Sequence, residues 1–184
     1  MYGRIETRLH NIEVEDQAEA MLKYPDGGIG YLYCSTNEVG PGQMIELFGE
    51  NGKLIFRDGQ LSFYHFKPGI KKHIRGTKQM WGSPEIIAKP LKIAKKQTAH
   101  IDLIRNFVWH ILFGESLLVT GKSGIGSLEL ANAITLSSFE KRWVKLPLNR
   151  RKYDQQLAKL RKSSTFVKKV KKVQRITDPR FKLS

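Results

Sequence analysis

The chain has 184 residues, 40% of them apolar, with one cysteine and a formal net charge of +15. That length suits one domain with an appendage and a sizeable core. No apolar run approaches the roughly 20 residues of a membrane span, since the nearest candidate, residues 101–119, contains Asp102, Arg105, Asn106, His110 and Glu115. The N-terminus shows no basic, apolar, small-residue order of a signal peptide, and the lone Cys34 excludes an intrachain disulfide framework and fits a reducing cytoplasm.

The charge is unevenly spread. Residues 151–184 hold 12 Lys or Arg and 2 Asp, a balance of +10, which leaves +5 for the first 150 residues. The basic character therefore belongs mainly to the end of the chain and does not by itself assign the fold to nucleic acid.

The pattern opens with strands. Ile5, Thr7 and Leu9 alternate with charged residues over residues 2–10, as in a half-buried strand. Met1 falls almost directly against this strand, and no helix or βαβ unit is expected before it. From Glu15, Ala18, Ala20, Leu22 and Tyr24 fall on one face of a second strand. After Asp26-Gly27-Gly28, a third strand places Ile29, Tyr31, Tyr33, Ser35 and Asn37 on one face and Leu32 and Cys34 on the other, where Cys34 is expected as a small buried hydrophobe. Gly40-Pro41-Gly42 ends the run. Residues 44–48, 53–57 and 61–66 then read as strands around Asn51-Gly52 and Asp58-Gly59, dipeptides that supply the left-handed residues of two-residue hairpin loops.

Residues 67–97 read as an excursion with one or two short strands, including one at 91–94, and the basic cluster at 71–75 reads as a solvated loop. Thr98 is placed to cap a helix over residues 99–113, with Ile104, Phe107, Val108 and Ile111 on one face, Asp102, Arg105 and Asn106 on another, and Gly114 as its stop. A second helix is expected from residues 122–125 to about Glu140, followed by a closing edge strand over residues 143–148.

The sequence offers little that resembles catalytic machinery. His100 and His110 stand ten residues apart without a neighbouring Cys or carboxylate cluster and are read as structural; no metal ligands are predicted. Gly121-Lys122-Ser123 resembles the end of a phosphate-binding loop, but Ser116 occupies the position where that loop needs its first Gly. The run from Gly121 to Gly126 reverses the G-x-G-x-x-G spacing and lies in no βαβ unit.

The stretches VEDQAEAMLKYPDGGIGYL and IELFGENGKLIFRDGQL resemble the C-terminal domain of the Gfo/Idh/MocA oxidoreductases, the family of glucose–fructose oxidoreductase and inositol 2-dehydrogenase. The stretch HIDLIRNFVWHILFGESLLVTGKSGIGSLELANAITLSSFEKRWVKLPL is similar to that domain's closing segment. The resemblance covers about residues 1–162. It implies an α+β fold, a large and mostly antiparallel sheet with helices on one face. Residues 163–184, crowded with like charges, read from their own composition as a basic tail that is partly helical or disordered.

The resemblance also implies a role. Relatives carry a Rossmann domain that binds NAD or NADP ahead of this one, together with an E-K-P lysine and a D-x-x-x-H histidine. These motifs precede the matched strands, and Lys89-Pro90 follows Ala88 in another region, so no catalytic or cofactor residue carries over to these 184 residues. The implied substrate-facing residues are Ser35 and Asn37, with Thr36 standing where relatives often have Trp. The implied function is the substrate-side and oligomerisation domain of an NAD(P)-dependent oxidoreductase acting on a sugar or polyol, inactive as this chain alone. Its implied partners are a second copy through the sheet face, a separate Rossmann-domain chain and a small carbohydrate. No membrane partner is expected, and the lack of a recognisable RNA or DNA module, with the charge confined to the tail, argues against nucleic acid. Two alternatives stay open: a free-standing sheet protein that binds a sugar or a partner without chemistry, and a nucleic-acid-binding protein acting through its basic tail.

Overall fold

A computed structural model describes residues 1–40, 42–91 and 100–167. The class is α+β, as expected. Among the described residues the seven strands form two antiparallel sheets rather than one continuous sheet, and the chain divides into two compact units, residues 1–37 with 122–184 and residues 38–121. The division follows the linker between the third and fourth strands. Residues 36–43, with Gly40 and Gly42, are too long for a tight hairpin, and no ladder joins the strands on either side.

The first unit holds β1 (Tyr2–Glu6), β2 (Gln17–Lys23) and β3 (Ile29–Ser35) in the order β1-β2-β3. The register sets Gly3 opposite Ala20 and Ala20 opposite Leu32, with Ile5, Ala18 and Cys34 in the next row. The Asp26-Gly27-Gly28 turn forms as read: Gly27 takes φ +91°, Asp26 Oδ1 accepts the Gly28 N–H at 3.1 Å, and Tyr24 N–H donates to the Gly28 carbonyl at 2.9 Å.

One long helix packs on this sheet. A single 3-10 turn at Gly121–Ser123 leads into α3 (Gly124–Glu140), which lies mainly over β1. Ala133, Ile134 and Leu136 meet Ala20, Met1, Val144 and Leu148 in the buried core, with Ile5, Leu22 and Leu32 packed against it. Small residues at the contact let helix and sheet approach closely. A Cβ on Gly3 would lie 2.9 Å from the Ile134 Cα. The outer edge of β1 is satisfied from α3: Gly3 N–H donates to Ser137 Oγ at 2.9 Å and Ile5 N–H to Ser138 Oγ at 3.0 Å. Ser137 in turn donates to the Arg142 carbonyl at 2.6 Å.

Two expectations in this unit are corrected. Cys34 is exposed, because α3 lies mainly over β1, and on β3 the core takes in Leu32 and not Cys34. Residues 143–148 form no strand. Only Val144 pairs with Met1, through hydrogen bonds of 2.7 and 2.8 Å between their main chains, and Pro147, lacking an N–H, cannot extend a ladder. Beyond Leu148 lies α4 (Arg150–Ser163), which the sequence reading did not anticipate. Asn149 caps it, its side chain accepting the Lys152 N–H at 3.0 Å, and Tyr153 packs on the core.

The second unit carries β4 (Met44–Gly49), β5 (Gly52–Arg57), β6 (Gln60–Lys67) and β7 (Glu85–Lys89) in sequential antiparallel order. Asp58 and Gly59 take φ of +50° and +75°, the two left-handed residues of a type I′ hairpin. The other hairpin turns one residue earlier than expected. Its loop is Glu50-Asn51, and Gly52 is already in the ladder opposite Gly49. Gly52 is needed there for a different reason: a Cβ would run into the Tyr64 carbonyl oxygen.

The expected loop at 71–75 is helical, within α1 (Ile70–Gly76). Glu50 starts it from across the hairpin, its carbonyl accepting the Ile70 N–H at 2.9 Å and its carboxylate the Lys71 N–H at 2.7 Å. α2 (His100–Phe113) ends at Gly114, with φ +71°, as read. Its residues Ile104, Phe107 and Ile111 are exposed. Thr98, the strand proposed over residues 91–94 beyond Leu91, and the tail beyond Val167 lie outside the described residues.

Candidate functional site

Several polar groups converge at one end of the first sheet. β1 ends at Glu6, β2 begins at Gln17 and β3 ends at Ser35, so all three meet there. β1 is shorter than expected because residues 7–16 curl over this end instead of continuing the strand. At the centre stands Asp16, buried at 5% exposure.

Asp16 is an acceptor for the whole loop. Its Oδ1 accepts the Arg8 N–H at 2.8 Å and Asn37 Nδ2 at 2.9 Å. Its Oδ2 accepts the Leu9 and His10 N–H groups at 3.0 Å each, and His10 Nδ1 lies at 3.2 Å. Burial alone would push this carboxyl up. The donors from His10, Asn37, Leu9 and Arg8 outweigh it and hold the group well below the usual carboxylate range. The Asp16 carbonyl also accepts the Thr36 N–H at 3.0 Å, and Gln17 Oε1 accepts Arg8 Nη1 at 3.0 Å.

The two residues expected to face substrate, Ser35 and Asn37, both sit at this node. Ser35 Oγ accepts the Asn37 N–H at 3.0 Å, closing a turn after the strand. Its own hydroxyl proton remains to donate. Asn37 is oriented by its bond to the ionised Asp16, which requires the amide nitrogen on that side. Its Oδ1 is then a buried acceptor without a partner among the described residues, a capacity that folded proteins seldom leave unused. Asp16 itself was not singled out from sequence. The available signal was an Asp closing the connector TRLHNIEVED, a residue type that binds nearby main-chain donors.

Other places in the two units offer less. A cleft of about 460 Å³ near the end of α3 is lined by Trp143, Arg142, Lys152 and Glu140, but Glu140 pairs with both cations at 2.7 Å. His110 Nδ1 lies 2.6 Å from the Glu115 carbonyl, and Asn106, buried, holds the Ser116 carbonyl at 3.0 Å and the Leu118 N–H at 2.8 Å. These shape the turn after α2. Among the described residues no three His, Cys, Asp or Glu side chains cluster to hold a metal ion, and no helix is long and apolar enough to cross a membrane.

The strands that build the Asp16 node also carry the match to known proteins. Residues 1–55 match the GFO/IDH/MocA C-terminal domain. The match takes in β1 to β4 and most of β5, and with them Asp16, Ser35 and Asn37. No curated protein matches the chain. The Gfo/Idh/MocA likeness of residues 100–148 rests on their sequence pattern, in which the two helices stand near their expected places and the closing strand does not.

Proposed function

We propose that this chain is the substrate-side and oligomerisation domain of an NAD(P)-dependent oxidoreductase acting on a sugar or polyol, housed in the cytoplasm. The observation that carries the proposal is the node at the end of β1, β2 and β3, within the stretch that matches the Gfo/Idh/MocA C-terminal domain. Ser35 and Asn37 supply a hydroxyl donor and an unused amide acceptor side by side, which is what a polyol, donor and acceptor at every carbon, requires. Asp16 positions Asn37 and stays ionised, so the amide keeps one orientation.

The node does no redox chemistry itself. Hydride transfer needs a nicotinamide ring held against the substrate carbon, and residues 1–184 contain no G-x-G-x-x-G turn between a strand and a helix to seat a pyrophosphate. A Rossmann domain outside these residues supplies the cofactor site and the proton-transferring groups, and this chain supplies one wall of the pocket. The two open sheet rows Tyr2–Met21–Tyr31 and Arg4–Glu19–Tyr33 face away from α3 and form the surface on which a second copy seats.

Amide chemical shifts test the assignment. Millimolar sugar or polyol added to the labelled chain should move the signals of Ser35 to Asn37 and of Arg8 to His10, and Asn37→Ala should abolish the response. Shifts confined to other residues, or none at tens of millimolar ligand, would overturn it.

A further inference from the structure

We propose that the outward side of α4 is a docking surface for nucleic acid, contacted through the phosphate backbone without reading sequence. α4 is amphipathic, and its apolar side is already used. Tyr153 packs on the core, and Leu157 and Leu160 are half-buried along the same side. Lys152 ties the first turn to Glu140 at 2.7 Å. The helix is therefore held in one orientation by contacts within its own unit.

The opposite side displays cations. Arg151, Lys159 and Lys162 are exposed at helical spacing, with Gln155 and Ala158 between them and Arg150 and Arg161 on one flank, also exposed. None of these five is ion-paired among the described residues, and Asp154 is the one acid on the helix. At 1.5 Å per residue the row from Arg151 to Lys162 spans about 16 Å. That is about five phosphates of one strand at 3.4 Å each.

The wider charge distribution reinforces this. Residues 141–184 hold 16 of the 32 Lys and Arg and only 2 of the 17 acids, while residues 1–140 are balanced, 16 against 15. Such one-sided charge raises the local concentration of a polyanion. Nucleic acid fits the surface better than a lipid bilayer. An interfacial helix needs an apolar side to sink into the acyl boundary, and on α4 that side is spent on the core.

Fluorescence anisotropy of the full chain with a labelled 20-nucleotide strand and a 20-base-pair duplex, from 50 to 200 mM NaCl, tests the proposal. Binding should appear at 50 mM salt, fall steeply with salt, and be the same for scrambled sequences. Arg151→Glu with Lys159→Glu and Lys162→Glu should weaken it at least tenfold at 50 mM. The same triple change should reduce the log–log salt slope on the duplex by about 2–3, at roughly 0.9 per phosphate contact. The triple Gln variant, gentler on the helix, should lose the same slope with unchanged circular dichroism. Absence of binding at 50 mM salt, full affinity in the folded Gln variant, or capture by phosphatidylserine vesicles in place of either nucleic acid would overturn the proposal.

Discussion

At the scale of single residues, the missing side chain of Gly3 sets how closely α3 lies on its sheet. An Ala there would bring its Cβ to 2.9 Å from main-chain and side-chain atoms of Ile134, so the helix itself must move. Overpacking of this kind costs about 1–3 kcal/mol, and chemical denaturation of Gly3→Ala should show it. Ser137→Ala strands the buried Gly3 N–H and removes a donor from the Arg142 carbonyl, which should cost about 1–3 kcal/mol in the same assay. Asp16 gives a pH signature. Its carboxyl titrates lower in the folded chain than in the unfolded one. Its contribution is therefore complete above the unfolded value of about 4 and declines as pH falls below it. Stability followed from pH 5 to pH 2 should drop, and Asp16→Asn should be less stable at pH 7 with a flatter acid limb. Family likeness pointed to Ser35 and Asn37 as candidates, and both lie beside Asp16. Asp16 stayed hidden because its meaning lies in three amides that the curled loop brings back to it, and that curl is tertiary.

At the scale of elements, the hairpins were legible wherever turn chemistry is local. Asp26-Gly27-Gly28 and Asp58-Gly59 both turn where their glycines predict. The helix stop at Gly114 is local in the same sense. What escaped is what distant residues decide. α1 begins because Glu50, from another loop, caps it, and Cys34 is exposed because α3 lies mainly over β1 and the core on β3 stops at Leu32. The 143–148 segment fails as a strand for want of donors at Pro147. α4 escaped because its first turn is all cation and its apolar positions are few. It should nonetheless be the last element the fold needs. A chain ending at Ser164 should melt close to the full chain. One ending at Asn149 loses the burial of Tyr153 and half-buried Leu157 and Leu160, about 2 kcal/mol or more, and should melt several degrees lower. Scanning calorimetry of the two lengths separates them.

At the scale of the whole molecule, the open face of the first sheet predicts assembly. Tyr31 and Tyr33 are 76% and 56% exposed, and Met21 and Tyr2 adjoin them at about 40%. Phe63 belongs to the other sheet and is half-buried, so it adds nothing to this face. A contiguous aromatic patch of this kind is uncommon on a monomer. Sedimentation at micromolar concentration should show a dimer or larger species, and Tyr31→Glu with Tyr33→Glu should return it to a monomer; a wild-type monomer would contradict the assembly. The central claim is that these residues form the substrate wall of an oxidoreductase and depend on another domain for the nicotinamide. Calorimetric titration of the purified 184-residue chain with NAD and with NADP tests it most directly. The account predicts no heat of binding for either at micromolar concentrations, and micromolar affinity for either one would contradict it.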